Sequence, residues 1–309
     1  MTGGVRFTLD AGQSSIRLRV SVAGAEAREL VLPGVRTDRS PIEQVAAVVE
    51  GNRALAPESV AVGLSGFDAA PDAAGHLLAA APSVRRAAVA HDSVTGYLGA
   101  NGESEGVVAA VGTGVVVLGV GPTAIARVDG WGALLGDAGS AYWIGRAGLD
   151  AALRSADGRG PARSLLAAAV ERFGRMERIY LELQADPDRV ARIAAFAPAV
   201  TSAAEAGDDP ALRIVGFAAQ ELADSIRAAL ERSGADPATA RVSAVGRVVT
   251  SAVLRDALQR ALHHSGSAGA GPGPLQLAEP LGEPVDGVER LHDLGADHPL
   301  AAAVVTATR

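Results

Sequence analysis

One pattern opens both halves of this chain and limits the folds available to it. At positions 5–22 an apolar run leads into a turn with glycine and hydroxyl residues, after which Ile16, Leu18 and Val20 alternate with polar residues. Such alternation is typical of a half-buried strand, so the segment predicts a β-hairpin. Positions 106–121 repeat the order of apolar run, glycine turn and apolar run. We therefore expect two units that each begin with a hairpin.

The rest of the pattern indicates an α/β architecture with mixed sheets and clefts at the strand ends. Strands are predicted at 58–67 and from 84 into His91, and a strand, a glycine turn and a helix over 240–262. Helical periodicity predicts a helix after Ser40 and a helical region over about 140–235. With 309 residues, of which 48% are hydrophobic, two compact domains are more natural than one.

Near the end of the chain, the glycine- and serine-rich stretch 265–274 predicts a flexible surface loop. A last helix is predicted from about Pro299. His263, His264, His292 and His298 lie near these segments, and we expect all four to be solvated.

Two residue types that many enzymes need are missing. There is no cysteine, which excludes disulfides, thiolate metal sites, iron–sulfur clusters and a thiol nucleophile. All 28 basic residues are arginine, which excludes mechanisms that need a lysine.

Charge and hydropathy indicate a small-molecule ligand. The net charge is −7 without a basic cluster, so we expect no nucleic-acid partner. The first residues lack the pattern of a signal peptide, and the sequence has no apolar run of about 18 residues that could span a membrane. We therefore expect a soluble, cytoplasmic protein without a membrane partner.

Two glycine turns are candidates for phosphate binding. In 10–15 ("DAGQSS") and 112–114 ("GTG"), successive backbone N–H groups can cradle a phosphate without lysine. An ordinary hairpin turn is the alternative for either one alone. Asp10 adds a carboxylate that could hold Mg²⁺ through water.

Two further aspartates are candidates for chemistry. Asp92 follows a strand end, where it could accept a proton from an attacking hydroxyl, or simply cap the next helix; we expect neighbouring His91 to be a packing residue. Asp137 stands between glycines in "GDAGS", where it could accept hydrogen bonds from sugar hydroxyls while Trp131 packs on the sugar ring. The alternative is that Trp131 and Trp143 are core residues and that Asp137 caps a helix.

Taken in order, five motifs resemble the N-acetylglucosamine kinase-like branch of the BadF/BadG/BcrA/BcrD ATPase family, within the sugar kinase, Hsp70 and actin superfamily. They are "LDAGQSSIRLRV", "HDSVTGYLGA", "AAVGTGVVVLGV", "GWGALLGDAGSAYWIGRAGLDAALRSADGRGP" and "VSAVGRVVTSAVLRDAL". The resemblance spans nearly the whole chain. It implies two RNase H-like domains, each with a mixed sheet, and an interdomain cleft that binds ATP with Mg²⁺. The domains would be 1–105, with a C-terminal helix of about 297–309 packing back on it, and 106–296, with a helical insertion.

The resemblance also implies roles for individual residues. Asp92 would be the general base and Asp10 the metal ligand. The ATP-binding positions would be Asp10, Gly12, Gln13, Ser14, Gly112, Thr113, Gly114 and Gly246. The sugar-binding positions would be Ser65, Gly66, Asp92, Gly130, Trp131, Gly132 and Asp137.

The chain departs from the family pattern at three places. The usual Gly-Gly-Gly-Thr-Lys becomes residues 11–15, which keep a hydroxyl as Ser14 but lose the lysine. Ala138 stands where a glutamate is usual, which leaves the acceptor sugar open. Val245 and Arg247 replace smaller residues in the adenosine motif. The absence of cysteine excludes the family's iron–sulfur activator branch.

The resemblance implies an ATP-dependent kinase for the 6-hydroxyl of N-acetylglucosamine or glucosamine, and we expect a homodimer. Two alternatives stay open: a kinase of another sugar, and a sugar- or nucleotide-binding sensor without catalysis.

Overall fold

A computed structural model describes residues 4–36, 38–264 and 273–309. In chain order the strands are β1 (Val5–Ala11), β2 (Ser15–Ser21), β3 (Arg28–Pro33), β4 (Pro57–Leu64), β5 (Arg86–His91), β6 (Gly106–Val111), β7 (Val115–Val120), β8 (Ile125–Val128), β9 (Arg241–Val245), β10 (Leu277–Ala278) and β11 (Val304–Thr308). The α-helices are α1 (Pro41–Gly51), α2 (Ala73–Ala80), α3 (Asp92–Asn101), α4 (Ala141–Ala156), α5 (Arg163–Phe173), α6 (Met176–Ala185), α7 (Arg189–Ala194), α8 (Ala197–Glu205), α9 (Asp209–Ser233), α10 (Ala252–His263) and α11 (Pro284–Arg290).

The chain divides into two compact units. Unit 1 comprises Met1–Glu105, Val120–Ile125 and Glu279–Arg309, and unit 2 comprises Gly106–Gly119 and Ala126–Ala278. Of the predicted loop at 265–274, residues 265–272 lie outside the described part. No helix within the described ranges is long and apolar enough to cross a membrane.

The sheet of unit 1 is mixed, with strand order β11-β5-β4-β1-β2-β3. Strands β1, β4 and β5 run parallel, and β2, β3 and β11 are antiparallel to their neighbours. Strand β2 alternates as its sequence predicts, because Ile16, Leu18 and Val20 are buried while the residues between them are partly exposed. The predicted β1–β2 hairpin is confirmed.

Unit 2 contains the second sheet, with order β10-β9-β6-β7-β8, and most of the helices. Strands β6, β9 and β10 are parallel. Helices α4 to α10 pack around a core with buried Ile144, Phe196, Leu222 and Ile226. The predicted helical middle and the predicted mixed sheets are therefore confirmed.

The end of the chain differs from its prediction. Instead of a helix over about 297–309, a short 3₁₀ helix (Pro299–Ala303) precedes strand β11, which pairs antiparallel with β5. Four of the five β11 residues are valine or threonine, whose branched side chains favour a strand. The final residue continues the pairing, since Arg309 N donates to Arg85 O at 2.9 Å.

Residues 279–296 also differ, because they cluster with unit 1 and not with the second domain as predicted. Helix α11 packs on α3 and β1. The approach to α3 is close enough to require glycine: a Cβ on Gly287 would overlap the backbone of Thr95 and Gly99, and a Cβ on Gly99 would overlap the backbone of Glu283. Glycine at both positions brings α11 onto the helix that begins at Asp92.

Candidate functional site

Three predicted site residues emerge side by side from the sheet of unit 1. The register aligns Ala11 of β1 with Leu64 of β4, and Leu64 with His91 of β5. The residues that directly follow these three strand ends are Gly12, Ser65 and Asp92. Because the three strands are parallel, these residues meet at one edge of the sheet, where ligands of open α/β sheets bind.

The first glycine turn is a tight and exposed hairpin tip. Gly12 N donates to Ser15 O at 3.0 Å, and Gly12 O accepts from Val35 N at 3.0 Å. Gln13 and Ser14 are exposed at the tip. Gly66, beyond Ser65, is also exposed and has a φ of +71°.

Asp10 lies in a group of opposite charges. It pairs across the hairpin with Arg17, whose guanidinium forms an ion pair with Glu283. Burial raises the pKa of Asp10; Arg17 acts to lower it, while the negative charges of Asp92 and Glu283 raise it further. Asp10 and Asp92 are therefore near enough to repel each other, which favours a cation beside them.

The donor set at this edge fits a magnesium ion held mainly by a bound ligand. The described residues contain no cluster of three or more acidic or histidine side chains that could hold a metal by themselves. Magnesium commonly uses one or two carboxylates together with water and substrate phosphates. Asp10 fits such a role.

Asp92 is the first residue of α3, and the helix is capped by its neighbour. His91 is the N-cap residue, with its Nδ1 3.1 Å from Ser93 N, so the alternative that Asp92 is the cap is wrong. His91 Nδ1 also lies 2.8 Å from Asp92 Oδ1; it donates to that carboxylate when it carries a proton and accepts from Ser93 N when it does not. Burial raises the pKa of Asp92, but hydrogen bonds from His91, Ser65 and the Ser93 backbone outweigh it, and the net shift is downward. The carboxylate is thus ionised at neutral pH, and the side chain is 44% exposed.

In unit 2, the second glycine turn rests on the start of a helix. Gly112 N donates to Gly114 O at 2.8 Å. The carbonyls of Gly112 and Thr113 accept from Ala141 N at 2.9 Å and Tyr142 N at 3.1 Å, in the first turn of α4. Hydrogen bonds to α4 therefore hold the turn in place, while Gly112 and Thr113 remain exposed to solvent.

Asp137 is built into the base of this turn. Its side chain is buried, and the backbone N–H groups of Val115 and Gly132 donate to its carboxylate. Burial is the main cause of its raised pKa, to which the charge of Asp129 adds. A Cβ on Gly114 would lie only 2.5 Å from Asp137 Oδ2, so the carboxylate occupies the space beside that glycine. Asp137 therefore joins the 112–114 turn to the loop that contains Gly132.

The structure decides separately whether Asp137 caps a helix and whether Trp131 and Trp143 are core residues. Ser140 caps α4, because Ser140 Oγ accepts from Trp143 N at 3.2 Å, so Asp137 is not the cap. Trp143 is partly buried against the core of unit 2, whereas Trp131 is 77% exposed and is not a core residue.

Asp129 is a structural residue that the sequence analysis missed. Its two carboxylate oxygens accept from Asp137 N at 2.8 Å and Ala138 N at 3.0 Å. Its φ is +57°, and that of Gly130 is +75°. The signal was present in the sequence, because an Asp-Gly pair after an apolar run indicates a turn.

Gly246 lies next to the second turn. Its φ is +106°, and a Cβ would overlap the carbonyl of Val111, the residue before Gly112. The predicted residues thus form two groups. Unit 1 holds Asp10, Gly12, Gln13, Ser14, Ser65, Gly66 and Asp92, and unit 2 holds Gly112, Thr113, Gly114, Gly130, Trp131, Gly132, Asp137 and Gly246.

His292 is the one predicted solvated residue that the structure clearly buries. Only 4% of it is exposed, and burial lowers its pKa to about 4. Its two ring nitrogens contact Ser59 Oγ at 2.7 Å and Thr8 Oγ1 at 3.2 Å. The histidine therefore helps to hold the α11 segment on the sheet.

Comparison with known sequences identifies relatives over part of the chain. The sequence model of the BadF/BadG/BcrA/BcrD ATPase family matches residues 29–269. The N-acetyl-D-glucosamine kinase of Dictyostelium discoideum is 33% identical over 142 residues, covering 45% of this chain and 44% of that protein. The N-acetylmuramic acid/N-acetylglucosamine kinase of Clostridium acetobutylicum is 31% identical over 154 residues, covering 46% and 48%. The chain spans about half the length of these curated relatives.

Comparison with solved structures shows the fold. A Chromobacterium violaceum protein, provisionally named an N-acetylglucosamine kinase, superposes with a TM-score of 0.71 at 22% identity, covering 92% of this chain and 97% of that one. The ROK family glucokinase of Streptomyces griseus superposes with a TM-score of 0.54 at 15% identity, covering 93% and 99%.

Proposed function

This chain belongs to the BadF/BadG/BcrA/BcrD ATPase family, and from that membership we propose that it is an ATP-dependent amino-sugar kinase. The reaction proposed is phosphorylation of the 6-hydroxyl of N-acetylglucosamine or glucosamine. The names of the two curated relatives support this substrate class. The observation that carries the proposal is the alignment of Gly12, Ser65 and an ionised, accessible Asp92 at one sheet edge.

Asp92 is proposed to take the proton of the sugar hydroxyl. As that hydroxyl oxygen bonds to the γ-phosphorus of ATP, the bond from the γ-phosphorus to the β-phosphate oxygen breaks and ADP leaves. The His91 contact and the bonds from Ser65 and Ser93 hold the carboxylate ionised and fixed in direction. A positioned carboxylate of this kind acts as a general base.

The phosphates of ATP are proposed to rest on backbone N–H groups. Residues 12–14 and 112–114 provide exposed turns for this purpose, and both are anchored by hydrogen bonds at their base. We assign Gly246 to the adenosine, since its backbone packs directly on Val111 beside the second turn. Bound Mg²⁺ would neutralise phosphate charge, with Asp10 holding it through water.

The sugar is proposed to contact Ser65, Gly66, Asp92 and the loop formed by Gly130, Trp131, Gly132 and Asp137. The exposed indole of Trp131 is available to pack on sugar C–H groups. Asp137 already accepts two backbone bonds, so it would offer the sugar only its remaining acceptor capacity.

A different acceptor sugar is the second candidate. Ala138 carries a methyl group where the family usually has a glutamate, so a carboxylate is absent next to Asp137. The Clostridium relative is named for N-acetylmuramic acid as well as N-acetylglucosamine, which makes a muramyl sugar the first alternative to test. A cytoplasmic location and a homodimer complete the proposal, and sedimentation of the purified chain tests the dimer.

The test is ADP release with ATP and Mg²⁺ across a panel of glucosamine, N-acetylglucosamine, N-acetylmuramic acid, N-acetylmannosamine and glucose. We expect the highest kcat/KM with N-acetylglucosamine or glucosamine. A clear preference for another sugar selects the second candidate. ATP binding without ADP release for any sugar would indicate a non-catalytic sensor.

A further inference from the structure

A pocket of about 220 Å³ opens at the end of unit 1 remote from Asp92. Its polar lining comes from Arg6, Glu58, Ser59, Arg85 and Arg86, which lie at the start of β1, β4 and β5 or just before it. Gly12, Ser65 and Asp92 follow the opposite ends of the same parallel strands. The pocket is therefore separate from the proposed kinase residues of unit 1.

Register places two guanidinium groups on either side of a hydroxyl in this pocket. Arg6 of β1 is the neighbour of Ser59 of β4, and Ser59 is the neighbour of Arg86 of β5. Partners in adjacent strands point to the same face, and two strand spacings separate the two arginine backbones by roughly 10 Å. Long arginine side chains can converge across that gap on one anion.

The charge of the pocket favours an anion. Three of its lining residues are arginine, and Glu58 is its one acidic lining residue. Arg6 is paired with Asp293, whereas within the described ranges the guanidinium groups of Arg85 and Arg86 form no ion pair. Glu58 directs its carboxylate at Gly4, where a Cβ would overlap it. Asp293 also interacts electrostatically with Arg86, but among the lining residues the three arginines exceed the one carboxylate.

A buried hydrogen-bond chain forms the support behind Ser59. Thr8 Oγ1 donates to Glu289 Oε2 at 2.5 Å, so its oxygen is left to accept from His292 Nε2 at 3.2 Å. With Nε2 as the donor of a neutral ring, Nδ1 accepts from Ser59 Oγ at 2.7 Å. The lone pairs of Ser59 Oγ then remain available to accept from a ligand hydroxyl.

We propose that this pocket is a second ligand site, which binds the phosphate group of a small, hydroxyl-bearing phosphate ester. Arg86 and Arg85 contact the phosphate oxygens, Arg6 completes the cationic side, and Ser59 accepts from a hydroxyl of the ligand. Several acceptor oxygens around one phosphorus suit guanidinium groups that arrive from different strands. The site stands on these contacts and not on the proposed kinase activity.

The test is calorimetric titration with inorganic phosphate at constant ionic strength, with saturating ADP and Mg²⁺ present. The nucleotide is included so that phosphate binding at the glycine turns is blocked. We expect wild-type protein to bind phosphate at one site. Arg86→Gln is expected to weaken this binding at least about tenfold, because a charged hydrogen-bond donor is removed.

Two further variants test the direction and the position of the charge effect on phosphate binding. Glu58→Gln removes the competing carboxylate and is expected to tighten phosphate binding. Arg28→Gln makes the same charge change at an exposed position of β3, outside the pocket, and is expected to leave binding unchanged. Thermal unfolding of each variant checks that it is folded.

Three results would overturn the proposal. They are no phosphate binding in the presence of nucleotide, an equal loss in Arg28→Gln and Arg86→Gln, and no tightening in Glu58→Gln. Because binding is measured without a sugar, a failure here leaves the kinase assay unaffected, and an inactive kinase leaves this binding result unaffected.

Discussion

The two glycine turns resemble each other in sequence, but the carboxylates beside them differ in exposure and in the direction of their pKa shift. Asp92, aligned with the first turn, is partly exposed and has a lowered pKa. Asp137, beneath the second turn, is buried and has a raised pKa. The first carboxylate is held by its neighbours but partly exposed to a ligand, whereas the second is buried against the backbone of its own loop. A shared motif therefore does not imply a shared role for the acid next to it.

The largest expected effect is on turnover in Asp92→Asn. If Asp92 is the general base, kcat falls by about 10²–10⁴-fold, while sugar binding is retained. Steady-state kinetics and sugar titration measure the two quantities. Asp68→Asn, at an exposed position of the same unit, is the control and keeps its activity. Near-normal kcat in Asp92→Asn would remove Asp92 from the mechanism.

The second expected effect is a difference between the two turns in how much a glycine-to-alanine substitution lowers the free energy of unfolding. A Cβ at Gly114 would meet Asp137 Oδ2 at 2.5 Å, whereas a Cβ at Gly12 would meet only Ser15 O at 3.6 Å, an ordinary contact. Gly114→Ala is expected to lower the free energy of unfolding by about 1–3 kcal/mol through overpacking. Gly12→Ala is expected to change it by less than about 0.5 kcal/mol. Denaturant unfolding of both variants makes the comparison, and equal losses would contradict it.

The third effect is smaller and concerns Asp137 itself. Asp137→Asn replaces one carboxylate oxygen with an N–H group that cannot accept from Val115 or Gly132, so we expect the free energy of unfolding to fall by about 1–2 kcal/mol. Asp150→Asn, at an exposed position of α4, serves as the control. An unchanged stability would mean that Asp137 is not a structural acceptor.

The smallest effect is a difference in the sign of pH dependence. The lowered pKa of Asp92 contributes stability that is present above the unfolded pKa of about 3.9 and is lost as pH falls through the folded value. The raised pKa of Asp137 has the opposite effect, because its contribution is present at low pH and is lost as pH rises through the folded value. Between about pH 3 and pH 6, we expect the stability loss in Asp92→Asn to grow with pH and that in Asp137→Asn to shrink.

That measurement compares each variant with the wild type by chemical unfolding at several pH values. Curves with the same slope would show that the two carboxylates do not differ in environment as their burial and hydrogen bonds indicate.

The sequence was most informative where local pattern and packing agree. Alternating residues in β2 and the glycine turn before it sufficed to predict the first hairpin. The row formed by Gly12, Ser65 and Asp92 needed the strand register as well, which no local pattern contains. The capping alternative was wrong at both aspartates, since His91 and Ser140 are the N-cap residues of α3 and α4.

Other features depend on distant partners and could not be read from local sequence. A polar histidine near a surface loop is expected to be exposed. His292 is nevertheless buried, because Ser59 and Thr8 satisfy both of its ring nitrogens. Strand β11 forms because the edge of β5 is available to it, and α11 docks because Gly99 and Gly287 permit contact with α3.

Joining distant parts of the chain in unit 1 has a consequence for the order of folding during synthesis. Arg6 bonds to Asp293 across a separation of 287 positions, and β5 pairs with β11, which is formed by residues 304–308. Residues 304–308 must therefore be synthesised before this sheet can be completed, whereas the residues of unit 2 all precede them in the sequence. Contacts with such long sequence separation form slowly, so the β5 edge of nascent unit 1 stays unpaired until β11 is available.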